Sequence, residues 1–161
     1  MELPVVARLK KELVQLKYEL TIELPKQLEE ARAHGDLKEN AEWEAAKHRQ
    51  EFVRSRIGQI EGRIRELSMY NIASIPRGVV AYGSRVTVED VNAGDTVSYE
   101  IVFPEEVDAS KRKISLSSPL GRALVSKAVG DEVEVLSPGG ERSLQIVELV
   151  TFHERGDEPR S

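Results

Sequence analysis

The sequence contains no cysteine, few aromatic residues and no long apolar run. Without cysteine the chain has no disulfide, no thiol nucleophile and no zinc–thiolate cluster, which is consistent with a reducing cytoplasm. No stretch approaches the roughly 18 apolar residues that a membrane span requires, and the N-terminus lacks the apolar core of a signal peptide. The net charge of −5 excludes a uniformly basic coat for nucleic acid. We therefore expect a cytoplasmic protein without a membrane partner.

The 161 residues fall into two parts of different composition. Residues 1–74 are rich in Leu, Glu, Lys, Arg, Gln and Ala, which favour helices. The later part is rich in Val, Ser, Gly and Asp, with the alternation typical of strands. Pro76 and Gly78 interrupt the chain between the two parts. The sequence therefore predicts an α+β protein with a helical domain at 1–74, a linker at 75–78 and a sheet domain at 79–161.

Apolar residues in the first domain recur at the spacing of a coiled coil. They form two stripes, which are Leu9, Leu13, Leu16, Leu20, Leu24, Leu28 and Ala31, and then Trp43, Ala46, Gln50, Val53, Ile57, Ile60, Ile64 and Leu67. The first stripe contains one surplus step of four, a stutter, beside Pro25, where we expect a kink or a loosened turn. Two such stripes joined at 33–36 predict an antiparallel coiled-coil hairpin about 45 Å long.

Alternating apolar residues in the second domain predict a small antiparallel sheet. Its expected strands are 84–89, 96–103, 113–117, 132–136 and 143–152. Pro119 suits the first turn of a helix, which the sequence predicts at 120–128. A polar C-terminal tail follows, and we expect it to be loose.

Three carboxylates, Asp36, Glu39 and Glu42, lie where the hairpin must turn. If the second helix begins near Leu37, Glu39 and Glu42 lie on one face of it. Oxygen ligands of this kind bind hard divalent cations such as Mg²⁺. The same spacing is typical of a capping box, with Asp36 as the N-cap and Glu39 at the third helical position. The two interpretations are compatible, because a capping carboxylate retains lone pairs.

Arg49, Arg56 and Arg63 repeat every seven residues beside the second apolar stripe. Arg49 and Arg56 are candidates for contacts with the phosphates of a nucleic acid. The alternative, which we favour, is ion pairing of the three arginines with glutamates of the first helix.

The segment 29–47, EEARAHGDLKENAEWEAAK, closely resembles the tip motif of the Gre transcript-cleavage factors, and of their GreA type in particular. The segments SSPLGRAL at 117–124 and PGGE at 138–141 resemble the C-terminal signature of the same family. The resemblance spans about residues 5–152. Trp43 replaces the usual tyrosine of the tip motif.

The resemblance implies a coiled coil followed by an FKBP-like domain, and a protein that acts on bacterial RNA polymerase. The FKBP-like domain would dock, through Ser117, Ser118 and Pro119, at the rim of the polymerase secondary channel. The coiled coil would enter that channel and meet the 3′ end of backtracked nascent RNA. The protein would be a monomer, with DNA present only through the polymerase complex.

The resemblance also implies the roles of the tip residues. Asp36 and Glu39 would help to hold the second Mg²⁺ of the polymerase and position the attacking water, with Glu42 and Asn40 as weaker candidates. The polymerase would then cut its own transcript, so the protein would be no enzyme itself and would carry no cofactor of its own.

Two alternatives remain open from the sequence. Leu20 and Thr21 stand where Gre factors often carry a basic pair, which leaves room for a Gre-like regulator that binds in the channel and inhibits polymerase without cleavage. The other alternative is an unrelated coiled-coil adaptor whose acidic tip is only a helix cap.

Overall fold

The computed structural model describes residues 2–36 and 40–156, and the chain divides into two compact units between Ile72 and Ala73. The first unit is helical and the second is built on a sheet, so the α+β class predicted from the sequence is confirmed. None of the helices in these two described ranges is long and apolar enough to cross a membrane.

The first unit is an antiparallel helical hairpin. Helix α1 (Pro4–Tyr18) continues through a π-helical turn (Glu19–Glu23) into α2 (Leu24–Ala33), and α3 (Ala41–Ser68) returns beside them. Both predicted stripes line the seam, and its fully buried members are Leu9, Leu16, Leu24, Ala31, Ala46, Val53, Ile57, Ile60 and Leu67. The predicted coiled-coil hairpin is therefore confirmed.

The π-turn accommodates the stutter of the first stripe. From Leu9 to Ala31 the stripe advances 22 residues in six steps, one residue more than six average coiled-coil steps of about 3.5. Within the turn the Leu24 N–H donates to the Glu19 carbonyl, five residues back. A π-turn contains one residue more than an α-helical turn, so it accommodates the one residue by which the stripe exceeds the coiled-coil spacing. Pro25 favours this wider turn, because it has no N–H to offer the carbonyl four residues before it.

Deleting Ile22, which is exposed in the π-turn, is expected to leave the hairpin folded. The deletion removes the surplus residue, so a continuous α-helix keeps every later apolar residue on the seam. Pro25 would then lie inside a continuous α-helix, at a cost of about 3 kcal/mol. We therefore expect a melting temperature, measured by circular dichroism at 222 nm, roughly 10–20 °C below that of the parent.

Deleting Gln59, an exposed residue of α3, is the matched control for that experiment. Helix α3 has no surplus residue, so this deletion should turn the apolar side chains on one side of it out of the seam. Each large side chain lost from the core costs about 2–5 kcal/mol. Equal damage from the two deletions would contradict the role given to the π-turn.

The second unit is a five-stranded sheet in the order β3-β2-β1-β5-β4. Its strands are β1 (Arg85–Asp90), β2 (Thr96–Val102), β3 (Lys113–Ser115), β4 (Glu132–Ser137) and β5 (Gly140–Val150), with helices α4 (Pro119–Leu124) and α5 (Phe152–Arg155) and short 3₁₀ turns. One apolar core lies on the sheet beneath α4, and its buried members are Val80, Val86, Val88, Ile101, Leu124, Val133, Leu144 and Ile146.

The structure corrects two details of the predicted sheet domain. Strand β3 runs parallel to β2, while every other pair is antiparallel. The connection 103–112 explains this, because its two 3₁₀ turns carry the chain back before β3 begins. Helix α4 ends at Leu124, and not at residue 128, because the backbone beyond it pairs with Val80. Ser126 N–H donates to the Val80 carbonyl, and Val80 N–H donates to the Lys127 carbonyl, both at 2.8 Å.

The predicted loose tail also needs correction. Residues 152–155 form α5, and side chains of this helix bind the sheet unit. Residues 157–161 lie outside the described part of the chain.

Candidate functional site at the hairpin tip

The chain leaves α2 through residues 34–36, which are exposed. His34 caps the C-terminus of α2, with its N–H donating to the Ala31 carbonyl. Gly35 follows with φ of +139°, a backbone conformation that favours glycine. The next residue, Asp36, is exposed. The loop therefore presents a carboxylate just beyond the end of α2.

Helix α3 begins at Ala41, with Asn40 as its N-cap. The predicted capping box, with Asp36 as the N-cap of a helix starting near Leu37, is therefore wrong. Glu39, together with Leu37 and Lys38, lies outside the described residues. The sequence did contain the correct signal, since an asparagine directly before a periodic run is typical of an N-cap.

The Asn40 side chain joins the two arms of the hairpin. Its Oδ1 accepts from the Trp43 N–H at 3.1 Å, and its Nδ2 donates to the Ala31 carbonyl at 2.6 Å. One amide thus satisfies an orphan donor at the start of α3 and a carbonyl in the last turn of α2. Both polar ends of the amide are engaged inside the hairpin, which gives Asn40 a structural role at the tip.

Replacing Asn40 by alanine is expected to lower the free energy of unfolding by about 0.5–2 kcal/mol, the usual cost of losing an N-cap. Asn40→Asp is the matched variant, because it keeps the capping oxygen and loses the donor to Ala31. Urea denaturation should place Asn40→Asp between the parent and Asn40→Ala. Equal stability of the parent and the alanine variant would contradict the cap.

Glu42 is the second described carboxylate of the tip. It lies in the first turn of α3, where the helix dipole favours negative charge, and its Oε2 is 3.5 Å from His34 Nδ1. Gln27, Glu30, His34, Glu42, Ala45, Ala46 and Arg49 line an open groove of about 550 Å³ beside the tip. Within residues 2–36 and 40–156, no three acidic or histidine side chains gather closely enough to hold a metal ion by themselves.

Two arginines bridge the arms of the hairpin, as predicted. Arg49 binds Glu19 through two hydrogen bonds of 2.6 and 2.8 Å, and Arg56 binds Glu12 through two of 3.0 and 3.2 Å. Arg63 contacts Glu66 on its own helix at 3.1 Å. The hydrogen bonds from Arg49 hold the pKa of Glu19 below its ordinary value.

The ion pair between Glu19 and Arg49 is expected to make hairpin stability depend on pH. Because the Glu19 pKa is lowered by folding, the stabilisation is present above the ordinary glutamate pKa and is lost as the pH falls through the folded-state value. Glu19→Gln should therefore reduce the melting temperature at neutral pH, and by less at about pH 3, which lies below the ordinary glutamate pKa. Glu51→Gln, which changes another exposed carboxylate of the hairpin, should have little effect at either pH. A Glu19→Gln deficit that is equal at both pH values would contradict the assignment.

The second candidate surface is the turn between β3 and α4. Ser118 Oγ accepts from the Gly121 N–H at 3.0 Å and donates to the Ser115 carbonyl at 2.7 Å, so this serine is the N-cap of α4. Ser117 and Pro119 on either side of it are exposed. Ser118 therefore holds the turn together, and Ser117 contributes as well, because its N–H donates to Ser115 Oγ at 3.1 Å.

Comparison with known proteins assigns the chain to a family. A model of the N-terminal domain of transcription elongation factors matches residues 5–68, and a model of the GreA/GreB C-terminal domain matches residues 75–150. The chain belongs to the GreA/GreB family of transcription elongation factors.

Individual members of the family resemble the chain over most of its length. Transcription elongation factor GreA of Halorhodospira halophila is 41% identical over 143 residues, which cover 88% of this chain and 90% of that protein. GreA of Neisseria meningitidis serogroup A is 43% identical over 142 residues, with the same coverage. The crystal structure of GreA factor homolog 1 (Gfh1) of Thermus thermophilus is 29% identical, covering 89% of this chain and 93% of that one, with a TM-score of 0.41.

Proposed function

We propose that this protein stimulates RNA polymerase to cleave backtracked RNA at its 3′ end, so that arrested transcription resumes. The hairpin would enter the secondary channel of the polymerase and bring Asp36 and Glu39 to the active centre. The observation that carries the proposal is the exposed Asp36 at the end of the hairpin, within the segment that matches the family model. Helix α3, of 28 residues, supplies a reach of about 42 Å.

Asp36 and Glu39 would act as oxygen ligands that complete a site on another protein. Hydrolysis of a phosphodiester by two metal ions requires one ion near the attacking oxygen and one near the leaving oxygen. Mg²⁺ commonly takes only one or two protein carboxylates and keeps its other positions for water and phosphate. The tip carboxylates suit this role, because hard oxygen donors in so small a number supplement an ion that the polymerase already holds. Glu42 would contribute less, since its carboxylate lies beside His34.

The contacts of the hairpin favour precise presentation of these carboxylates. Asn40 links the ends of α2 and α3, and the pairs of Arg49 with Glu19 and of Arg56 with Glu12 fix the arms at two further points. Catalytic effects that depend on position are lost when groups move by about 1 Å. A tip tied to both arms therefore serves catalysis in another protein better than a free loop would.

Contacts with RNA along the arms would be secondary. Arg49 and Arg56 donate hydrogen bonds to glutamates, and this pairing reduces the positive charge available to phosphates. Arg49, whose side chain is 45% exposed beside the tip groove, is the better placed of the two to meet RNA. Ser117 and Pro119 would contact the channel rim, and the protein would work as a monomer without a cofactor of its own.

The test is cleavage of RNA in stalled, backtracked polymerase complexes with Mg²⁺. The parent protein should shorten the transcript from its 3′ end. Asp36→Asn and Glu39→Gln should slow this by about 10- to 100-fold or more, the usual cost of disturbing the ligands around a metal. Polymerase binding and melting temperature should stay close to those of the parent. Glu44→Gln, which changes an exposed carboxylate of the same helix end, is the matched control and should cleave normally.

Each other outcome selects a different function. A parent protein that binds polymerase and blocks nucleotide addition without shortening RNA would be the Gre-like inhibitor. Asp36→Asn and Glu39→Gln variants that cleave as fast as the parent would show that the tip carboxylates do not act on the metal. A parent protein without affinity for polymerase would contradict the proposed partner.

A further inference from the structure

Helix α5 (Phe152–Arg155) follows the last residue of the family match, which ends at residue 150. The helix is short, and yet three of its four side chains contact distant parts of the sheet unit. The contacts of α5 therefore call for a specific explanation.

Phe152 and Arg155 attach the helix to the loop that contains Gly83. The ring of Phe152 lies so close to Gly83 that a Cβ on this glycine would come within 2.4 Å of it, and its centroid is 6.0 Å from that of Tyr82. Arg155 donates to the Gly83 carbonyl at 2.9 Å and to Glu100 Oε1 at 2.6 Å. Both partners of that ion pair are largely buried, with 25% and 22% of their side-chain surface exposed. The helix is thus held by packing and by a charged hydrogen bond together.

His153 reaches a different segment. Its ring Nε2 lies 2.8 Å from the carbonyl oxygen of Ile75, and since a carbonyl only accepts, the ring nitrogen must carry the proton. Ile75 belongs to the stretch by which the chain enters the sheet unit, where the sequence predicts a linker at 75–78. The contact therefore joins the last helix of this unit to its first residues.

We propose that α5 is a latch that holds the segment beginning at Ile75 on the sheet unit. His153 is the residue that positions this segment, through its hydrogen bond to the Ile75 carbonyl. Phe152 and Arg155 hold the helix against the sheet unit, and His153 donates a hydrogen bond to the backbone carbonyl of Ile75. By holding Ile75 on the sheet unit, the latch would restrict the chain that leads out of the hairpin, and it would thereby raise the effective concentration of the tip once the sheet unit has docked. This last consequence rests on the proposed function, whereas the latch itself does not.

Limited digestion with trypsin tests the latch without polymerase. Arg77 is exposed next to the fastened residue, so the fragment ending at Arg77, quantified by mass spectrometry, reports how often the segment opens. His153→Ala should speed this cut by about 2- to 10-fold, the range expected for one lost hydrogen bond. A chain ending at Thr151 should be cut faster still. His153→Gln, whose amide can donate to Ile75, should return toward the parental rate.

His48→Ala is the control, because it removes an exposed histidine of the hairpin and should leave the cut at Arg77 unchanged. Equal cutting at Arg77 in the parent, in His153→Ala and in the truncated chain would overturn the latch. So would equal acceleration by His153→Ala and His153→Gln, since the hydrogen bond would then be irrelevant.

The functional consequence is read in the transcript-cleavage assay. His153→Ala should raise the protein concentration needed for half-maximal cleavage by about the same factor and leave the rate at saturation unchanged. A faster cut at Arg77 with an unaltered half-maximal concentration would confirm the latch and contradict its link to the tip. If the parent protein does not stimulate cleavage, the proposed function fails while the digestion still decides the latch.

Discussion

The apolar seam between the two arms of the hairpin is the interaction on which the candidate site depends. Each fully buried leucine or isoleucine contributes about 1.5–3 kcal/mol, whereas exposed ion pairs such as Arg49 with Glu19 contribute much less, because water and salt screen them. The seam therefore supplies the stability, and the ion pairs select among nearby registers. Without the π-turn, α2 would rotate relative to α3, and its last carbonyls would not meet Asn40. The fold of the tip thus depends on the turn Glu19–Glu23, which ends 13 residues before Asp36.

The helices and strands could be predicted from the sequence, because each produces a regular spacing of apolar residues. Leucine and isoleucine spacing identified both arms of the hairpin, and the step beside Pro25 identified the place of the π-turn. Alternation identified the five strands, with ends that differ by a few residues. The parallel pairing of β3 and the early end of α4 were not predictable in this way, because both depend on backbone hydrogen bonds between segments far apart in the chain, such as Val80 with Ser126.

At the tip, local pattern and geometry gave different answers. Asp36 and Glu39 have the spacing of a capping box, but the chain must first cross from α2 to α3, and that crossing leaves Asn40 at the helix start. The carboxylate of Asp36 is therefore not the cap, and the amide of Asn40 is. Two functions that the sequence pattern assigns to one residue are thus separate in the structure: the Asn40 amide caps α3, and the Asp36 carboxylate is exposed.

The charge of the tip places a condition on the proposed function. Asp36, Glu39 and Glu42 would approach the phosphates of RNA, and like charges about 4 Å apart repel by several kcal/mol where water is partly excluded. Arg49 and Arg56 do little to offset this, because both are already paired with glutamates. A divalent cation between carboxylate and phosphate reverses the sign of the interaction. An acidic tip of this composition therefore favours RNA only where a metal ion is already held beside it, as it is in a polymerase active centre and is not along free RNA.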